Sequence, residues 1–312
     1  MKKIFSQYKF LSLFALLITG NVFSQSIVVS ANNTNFQVAT TTNVETANTI
    51  TSSFTVSINS RNKNYDLSIG TTATAFSPST AAFATIPFSV KLRSITGVAT
   101  TGAVTSTVPL AKYPPTMNSL ATNATQTSNT NTAVWTYDLI MDPIGYTIPP
   151  GTYNFTITVQ FQDGSRTLSN NFTITLTVLS VLDLSVTQNA PTSIGFTTSG
   201  QYANGITYSN FTTHTIKSNL PWMVNVSSQS TYFTPASSGA DNNVPCSIIG
   251  VKPSTVSTFT SLSISNAVVK TGGAGNSTAA GNSYNVDLQI NPGYNYSAGI
   301  YNLGLTYTLT AQ

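Results

Sequence analysis

Between residues 149 and 161, PPGTYNFTITVQF, every second side chain is large and apolar: Tyr153, Phe155, Ile157, Val159 and Phe161 alternate with Asn, Thr and Gln. A period of two belongs to a β-strand with one face in a core and the other in water. The pattern returns in SAGIYNLGLTYTL, residues 297 to 309, where Tyr301, Leu303, Leu305, Tyr307 and Leu309 alternate and Ala311 continues the series. Both copies follow a small residue and a glycine, Pro150-Gly151 and Ala298-Gly299, which suits a sharp turn ahead of the strand.

The echo extends beyond one strand. VSINSRNKNYDLSI (56–69) matches HTIKSNLPWMVNV (214–226): Ile58 and Ser60 align with Ile216 and Ser218, and Tyr65, Leu67 and Ile69 with Trp222, Val224 and Val226. The block from Phe76 to Pro78 is answered by Phe233 to Pro235, IPFSVKL (86–92) by VPCSIIGV (244–251), and YDLIMDP (137–143) by VDLQINP (286–292). Upstream, ANTIT (47–51) has its partner in ANGIT (203–207). Matched blocks in one order predict an internal duplication.

Each unit holds some seven or eight short strands separated by turn signals, with no helical period, and Thr, Val, Ile, Tyr and Phe dominate. The chain reads as all-β: two tandem immunoglobulin-like antiparallel β-sandwiches, residues 25–180 and 181–312. Two polar stretches interrupt the alternation, a long Thr/Asn/Ser-rich insertion at 98–133 and a Gly/Ser-rich stretch at 270–283 expected to be a flexible loop or a protruding hairpin tip. Such loops cluster at the ends of a sandwich, where binding is commonly carried. Residues 179 to 183 contain neither Pro nor Gly and predict a short, stiff connection.

The units differ at their ends. The first turns at Asp163-Gly164 and returns through Phe172, Ile174, Leu176 and Val178; the second shows no such return strand up to Gln312. An edge beside residues 301 to 311 is therefore expected to accept a strand by β-augmentation, with the stretch QSIVVSANNTNFQV from residue 25 as a candidate donor.

The start of the chain changes the charge picture. Lys2, Lys3 and Lys9 precede an apolar run from Phe10 to Ile18, and small residues precede Gln25, the pattern of a cleaved secretory signal peptide over 1–24. The run is about half the length a bilayer crossing needs, so no transmembrane anchor is expected after cleavage. Cleavage leaves nine basic residues against eight acids, a net charge of +1. No basic run remains to follow a phosphate backbone, which excludes nucleic acid as the expected partner. At 6% charged residues the surface must be Thr, Ser and Asn, which fits a wall, fibre or adhesive protein with contacts little affected by salt.

Chemistry is sparse. His214 and Cys246 are single residues of their kinds, and one Cys makes no internal disulfide. In the repeat, His214 stands at Val56 and Cys246 at Phe88, both core positions, so packing accounts for them better than nucleophilic catalysis. There is no G-x-S-x-G, no Cys/His metal spacing and no phosphate-cradling Gly loop, and no enzyme activity or cofactor is implied. Asp138 and Asp142 share a strand face, and Asp287 and Asn291 repeat them; a calcium site at these corners is a candidate, beside the commoner reading of a turn ahead of Pro. Trp135 and Trp222 share their strand faces with core residues. The aromatic candidates for ligand contact are the turn residues Tyr113, Tyr202, Tyr208 and Tyr294.

PWMVNV (221–226), the Phe seven residues after Val226, and the closing strand ending YTL (307–309) resemble the bacterial WxL domain; the Gly-Thr-Tyr strand is similar to those of spore-coat-protein-U-like sandwiches. Tyr307 stands where WxL has its second Trp, and Tyr65 at the first-unit equivalent of Trp222. The resemblance implies a non-catalytic cell-surface or fimbrial protein; WxL domains themselves are associated with binding the bacterial wall. The leader ending VFSQ points to a Gram-negative envelope. The expectation is an exported surface or extracellular structural or adhesive protein, with the periplasm as a further address. It would pair through strand edges with itself, an envelope protein or a surface glycan. The alternative is a carbohydrate- or peptidoglycan-binding module using the end loops and turn tyrosines.

Overall fold

The computed structural model describes residues 25–61, 63–71, 86–111, 116–127, 132–164, 166–191 and 193–312. The expected signal peptide, the block from Phe76 to Pro78 and Tyr113 lie outside the described residues.

The first unit contains β1 (Ser26–Ala31), β2 (Asn35–Val38), helix α1 (Thr41–Glu45), β3 (Asn48–Asn59), β4 (Tyr65–Thr71) and β5 (Phe88–Thr96). It continues with β6 (Val98–Thr100), β7 (Thr107–Pro109), β8 (Asn118–Gln126), β9 (Ala133–Met141), β10 (Gly151–Gln162) and β11 (Thr167–Val178). The second unit contains β12 (Leu182–Gln188), β13 (Ile194–Phe196), α2 (Ser199–Asn204), β14 (Ile206–Ser218), β15 (Trp222–Ser228), β16 (Thr234–Pro235) and β17 (Ile249–Pro253). It ends with β18 (Thr260–Ser261), β19 (Ala267–Gly272), β20 (Ser283–Ile290), β21 (Gly299–Asn302) and β22 (Leu305–Ala311).

In the first unit a sheet of order β1-β3-β9-β5-β7 packs on one of order β2-β11-β10-β4-β8-β6. In the second, β12-β14-β20-β17-β18 packs on two smaller sheets, β19-β15-β22 and β13-β21-β16. Among the described residues pairing is antiparallel except between β2 and β11. The alternation explains the layers: Tyr153, Phe155, Ile157, Val159 and Phe161 of β10 are all buried, while Asn154 and Thr156 between them are exposed. Two separate apolar clusters result, one on each unit. Val181 packs into the first, and Asn219 ties the junction by accepting from the Val181 N–H (2.8 Å) and donating to the Leu179 carbonyl (2.9 Å).

The duplication is visible in local chemistry. Tyr153 and Tyr301 each donate their hydroxyl to a carbonyl four residues upstream, Pro149 and Ser297, at 2.7 Å in both cases. Helices α1 and α2 follow the same N-cap, Thr40 and Thr198. β3 and β14 carry a bulge at the same place, with Ser52 (φ 50) and Asn210 (φ 54) in the left-handed region. The large aromatics trade strands: Trp135 of β9 donates to the Tyr65 hydroxyl of β4 (3.0 Å), whereas in the second unit the Trp is on β15 and the Tyr on β20, Trp222 stacked parallel to Tyr284.

Three sequence expectations need correction. The stretch 98–133 contains β6, β7, β8 and the start of β9, because Leu120, Ala121 and Ala124 give its Thr-rich strands a core face. The loop 270–283 begins inside β19 and ends at a buried Asn282, which donates to the Gly275 and Asn276 carbonyls and accepts from Trp222 Nε1. The stretch from residue 25 offered as a donor is built into the first unit, as β1 against β3 and β2 against β11.

Trp222 faces Gly272 across the β15–β19 ladder, and a Cβ at Gly272 would overlap the indole. Gly272→Ala is expected to destabilise the chain by about 2 kcal/mol, read from the denaturant midpoint. Gly273→Ala, with open space around it, is expected to stay within about 0.5 kcal/mol.

Candidate functional site

β10 is hydrogen-bonded on both sides, to β4 and to β11. Its counterpart in the second unit is broken near Gly304 into β21 and β22. β22 pairs with β15, the counterpart of β4, from Leu305 opposite Ser228 to Ala311 opposite Trp222. On the other side, where β10 holds β11, β22 has no strand neighbour among the described residues. β13 covers the edge of β21 alone, Ile194 opposite Tyr301 and Phe196 opposite Gly299. The matching strand of the first unit, β2, pairs with β11 instead.

The difference reaches the core. β11 inserts Phe172, Ile174, Leu176 and Val178, all buried, with the Phe172 ring 4.6 Å from that of Phe54. On β10, Phe155, Ile157, Val159 and Phe161 are fully buried. Their counterparts Leu303, Leu305, Tyr307 and Leu309 are only half-buried, and Val186 on β12 is 40% exposed. Between β12 and β22 runs a groove of about 470 Å³, floored by Ile194, Phe211 and Leu288 and rimmed by Val186, Leu305 and Tyr307. Among the described residues no Asp, Glu, Lys or Arg lines it. An apolar trough beside a row of unpaired backbone N–H and C=O groups is chemically a receptor for an extended chain.

His214 lies directly behind the rim. It is fully buried, with its Nε2 3.1 Å from Thr212 Oγ1, its Nδ1 3.1 Å from the Tyr284 hydroxyl, and the Tyr307 ring edge-on at 4.4 Å. Burial lowers its pKa to about 4, so the imidazole is neutral at pH 7. Cys246 is buried elsewhere, in a 3-10 turn, with Sγ 3.8 Å from the Leu262 carbonyl. The ladder also corrects its register. Ile249 faces Ile290 as Phe88 faces Met141, so Ile249, three residues on, is the counterpart of Phe88.

The candidate calcium ligands have other work. Asp138 Oδ1 accepts from the N–H of the bulge residue Ser52 (2.8 Å) and pairs with Arg93 (3.1 Å). Asp287 does the same for Asn210 (2.9 Å), accepts from Ser254 Oγ (2.6 Å) and pairs with Lys252 (2.9 Å). Burial pushes the Asp287 carboxyl up, but the hydrogen bonds from Ser254, Asn210 and Lys252 outweigh it and hold the group below its ordinary range. Asp142 and Asn291 sit exposed just past β9 and β20, their backbone N–H groups donating to the Pro87 and Ile248 carbonyls. Among the described residues no three His, Cys, Asp or Glu side chains converge as a metal-binding group.

Two of the tyrosines meet: Tyr202 and Tyr294 stack with ring centres 6.0 Å apart, and Tyr294 is 71% exposed. Tyr208 is half-buried, with its ring 6.3 Å from that of Phe211. Among the described residues no helix is long and apolar enough to cross a membrane.

No protein-family model matches the chain, and no curated protein does. Trp222, and Tyr307 where the WxL pattern has its second Trp, lie on the paired strands β15 and β22. Among solved structures the chain is similar to the CupB6 tip adhesin of Pseudomonas aeruginosa, at 10% identity over 91% of this chain and 94% of that one, with a TM-score of 0.35. It is also similar to the CooA pilin subunit of enterotoxigenic Escherichia coli (14% identity, 49% and 98%, TM-score 0.29). A third likeness is to a family 123 glycoside hydrolase of Clostridium perfringens (14% identity, 50% and 27%, TM-score 0.28).

Proposed function

We propose that this chain is an exported, non-catalytic structural or adhesive subunit of a Gram-negative cell surface, which joins a neighbour by taking one of its strands into the second sandwich. The observation that carries the reading is the contrast between two copies of one fold: among the described residues β10 is flanked on both sides, β22 on one, and an uncharged groove lies beside it. The occupant is a strand of another polypeptide. β1, β2 and β11 of this chain, which carry comparable apolar residues, are already hydrogen-bonded in the first unit. Domains 25–180 and 181–312 then divide the labour, the first closed and the second completed by the partner. The leader-like N-terminus and the Thr-rich, nearly neutral surface support the address. The separate burial of His214 and Cys246 supports the absence of catalysis.

Hydrogen exchange tests it. In the isolated chain the outward amides of β22 are expected to exchange much faster than those of β10, and in assemblies recovered from the producing cells to become protected. Equal protection of β22 and β10 in the isolated monomer would end the reading.

The Tyr202–Tyr294 pair favours a second reading, a sugar-stacking face at one end of the second unit. Retention on wall glycans lost on Tyr294→Ala, with β22 exchange unchanged, is the result that would support it.

A further inference from the structure

The proposal rests on the strand-acceptor reading above and specifies the strand. We infer that the donor runs antiparallel to β22 and repeats the side-chain order of β11 from Leu168 to Ile174, a large apolar residue opposite Leu309, an Asn-like residue opposite Tyr307, an aromatic opposite Leu305 and an aliphatic opposite Leu303.

The internal copy supplies the template. In the first unit Phe161 faces Leu168, Val159 faces Asn170, Ile157 faces Phe172 and Phe155 faces Ile174. The repeat maps those four β10 residues onto Leu309, Tyr307, Leu305 and Leu303. β22 runs antiparallel to β15 as β10 runs antiparallel to β4, so the direction carries over. The aromatic position has room: Phe172 packs on Phe54, and the counterpart of Phe54 is the smaller Thr212, which lines the groove. The polar position has a partner type: Asn170 Nδ2 reaches the Ile27 carbonyl of β1, and β12, the counterpart of β1, forms the facing wall. The footprint stops at Leu303, because Ile194 of β13 already covers Tyr301 as Leu176 covers Tyr153. A one-residue slip would turn every apolar side chain to solvent, so parity is a strict requirement.

The test grafts eight residues, TLSNNFTI, onto the full chain after Gln312 through a short Gly/Ser linker. Two control grafts use the same composition, one with each apolar residue exchanged with its polar neighbour and one in reversed order, ITFNNSLT. The direct graft is expected to slow exchange of the β22 amides by about tenfold or more and the controls to leave it unchanged. The same three sequences added as free peptides should rank in the same order. Equal protection by all three, or protection by the reversed graft alone, overturns the order and direction while leaving strand acceptance intact. No protection from any graft or peptide overturns the specification too. The acceptor reading then stands if β22 is protected in native assemblies, and falls if β22 is already protected in the ungrafted chain.

Discussion

Asp287→Ala is expected to lower the stability of the second unit by about 3 kcal/mol, roughly twice the loss from Asp138→Ala in the first. Both carboxylates cap a bulge residue held at positive φ, a conformation that costs a non-glycine residue about 1 kcal/mol and leaves its N–H turned out of the ladder. Removing either acceptor strands that N–H. The cations then separate the two sites. The Arg93 side chain is 46% accessible and can turn to water, whereas Lys252 is 13% accessible and would be left with an unpaired, poorly solvated charge. Ser254 Oγ loses its acceptor as well. Each core holds one Trp, Trp135 or Trp222, so denaturant midpoints followed by fluorescence read the second unit in a Trp135→Phe background and the first in a Trp222→Phe background. A loss for Asp287→Ala no larger than that for Asp138→Ala would contradict the argument.

Strand periodicity was readable because alternation of apolar and polar residues is set by geometry alone. Tyr153 to Phe161 could hardly be buried in any other way. The duplication was readable for the same reason, and with it the difference between the two units beside β10 and β22. The register near Cys246 was not. VPCSI imitates IPFSV in letters, but a 3-10 turn at Cys246–Ile248 consumes three residues before β17 starts, and only the ladder reveals it. Composition misled at 98–133, where Thr and Asn resemble loop yet Thr suits a pleated surface and small Ala side chains suffice to face the core. The role of Asp138 was hidden because its partner is a backbone N–H, presented by Ser52 in a left-handed conformation that no Gly marks. The walls of the groove come from β12 and β13 as well as β22, elements far apart in sequence. The difference beside β22 was therefore legible and the shape of the groove was not.

Lowering the pH from 6.5 toward 4 is expected to cost the second unit up to about 3 kcal/mol through His214. The folded-state pKa of about 4 lies below the unfolded value of 6.5, because burial disfavours the charged ring. Between those values the unfolded chain binds a proton that the folded chain refuses. The stabilisation is therefore complete above 6.5 and is lost progressively as the pH falls to the folded pKa. His214→Val, which restores the residue found at Val56, should flatten this limb while costing about 1 kcal/mol at pH 7, since the Tyr284 hydroxyl loses its partner. Denaturant midpoints of the two proteins at pH 7, 5.5 and 4.5 check the prediction, and parallel pH curves would refute it. The loss should not be spread evenly over the unit. His214 touches Tyr307 of β22 and Thr212 of the groove. A proton forced onto it strains the strand with one flank already open, and exchange at β22 should quicken before that of β20 or β15.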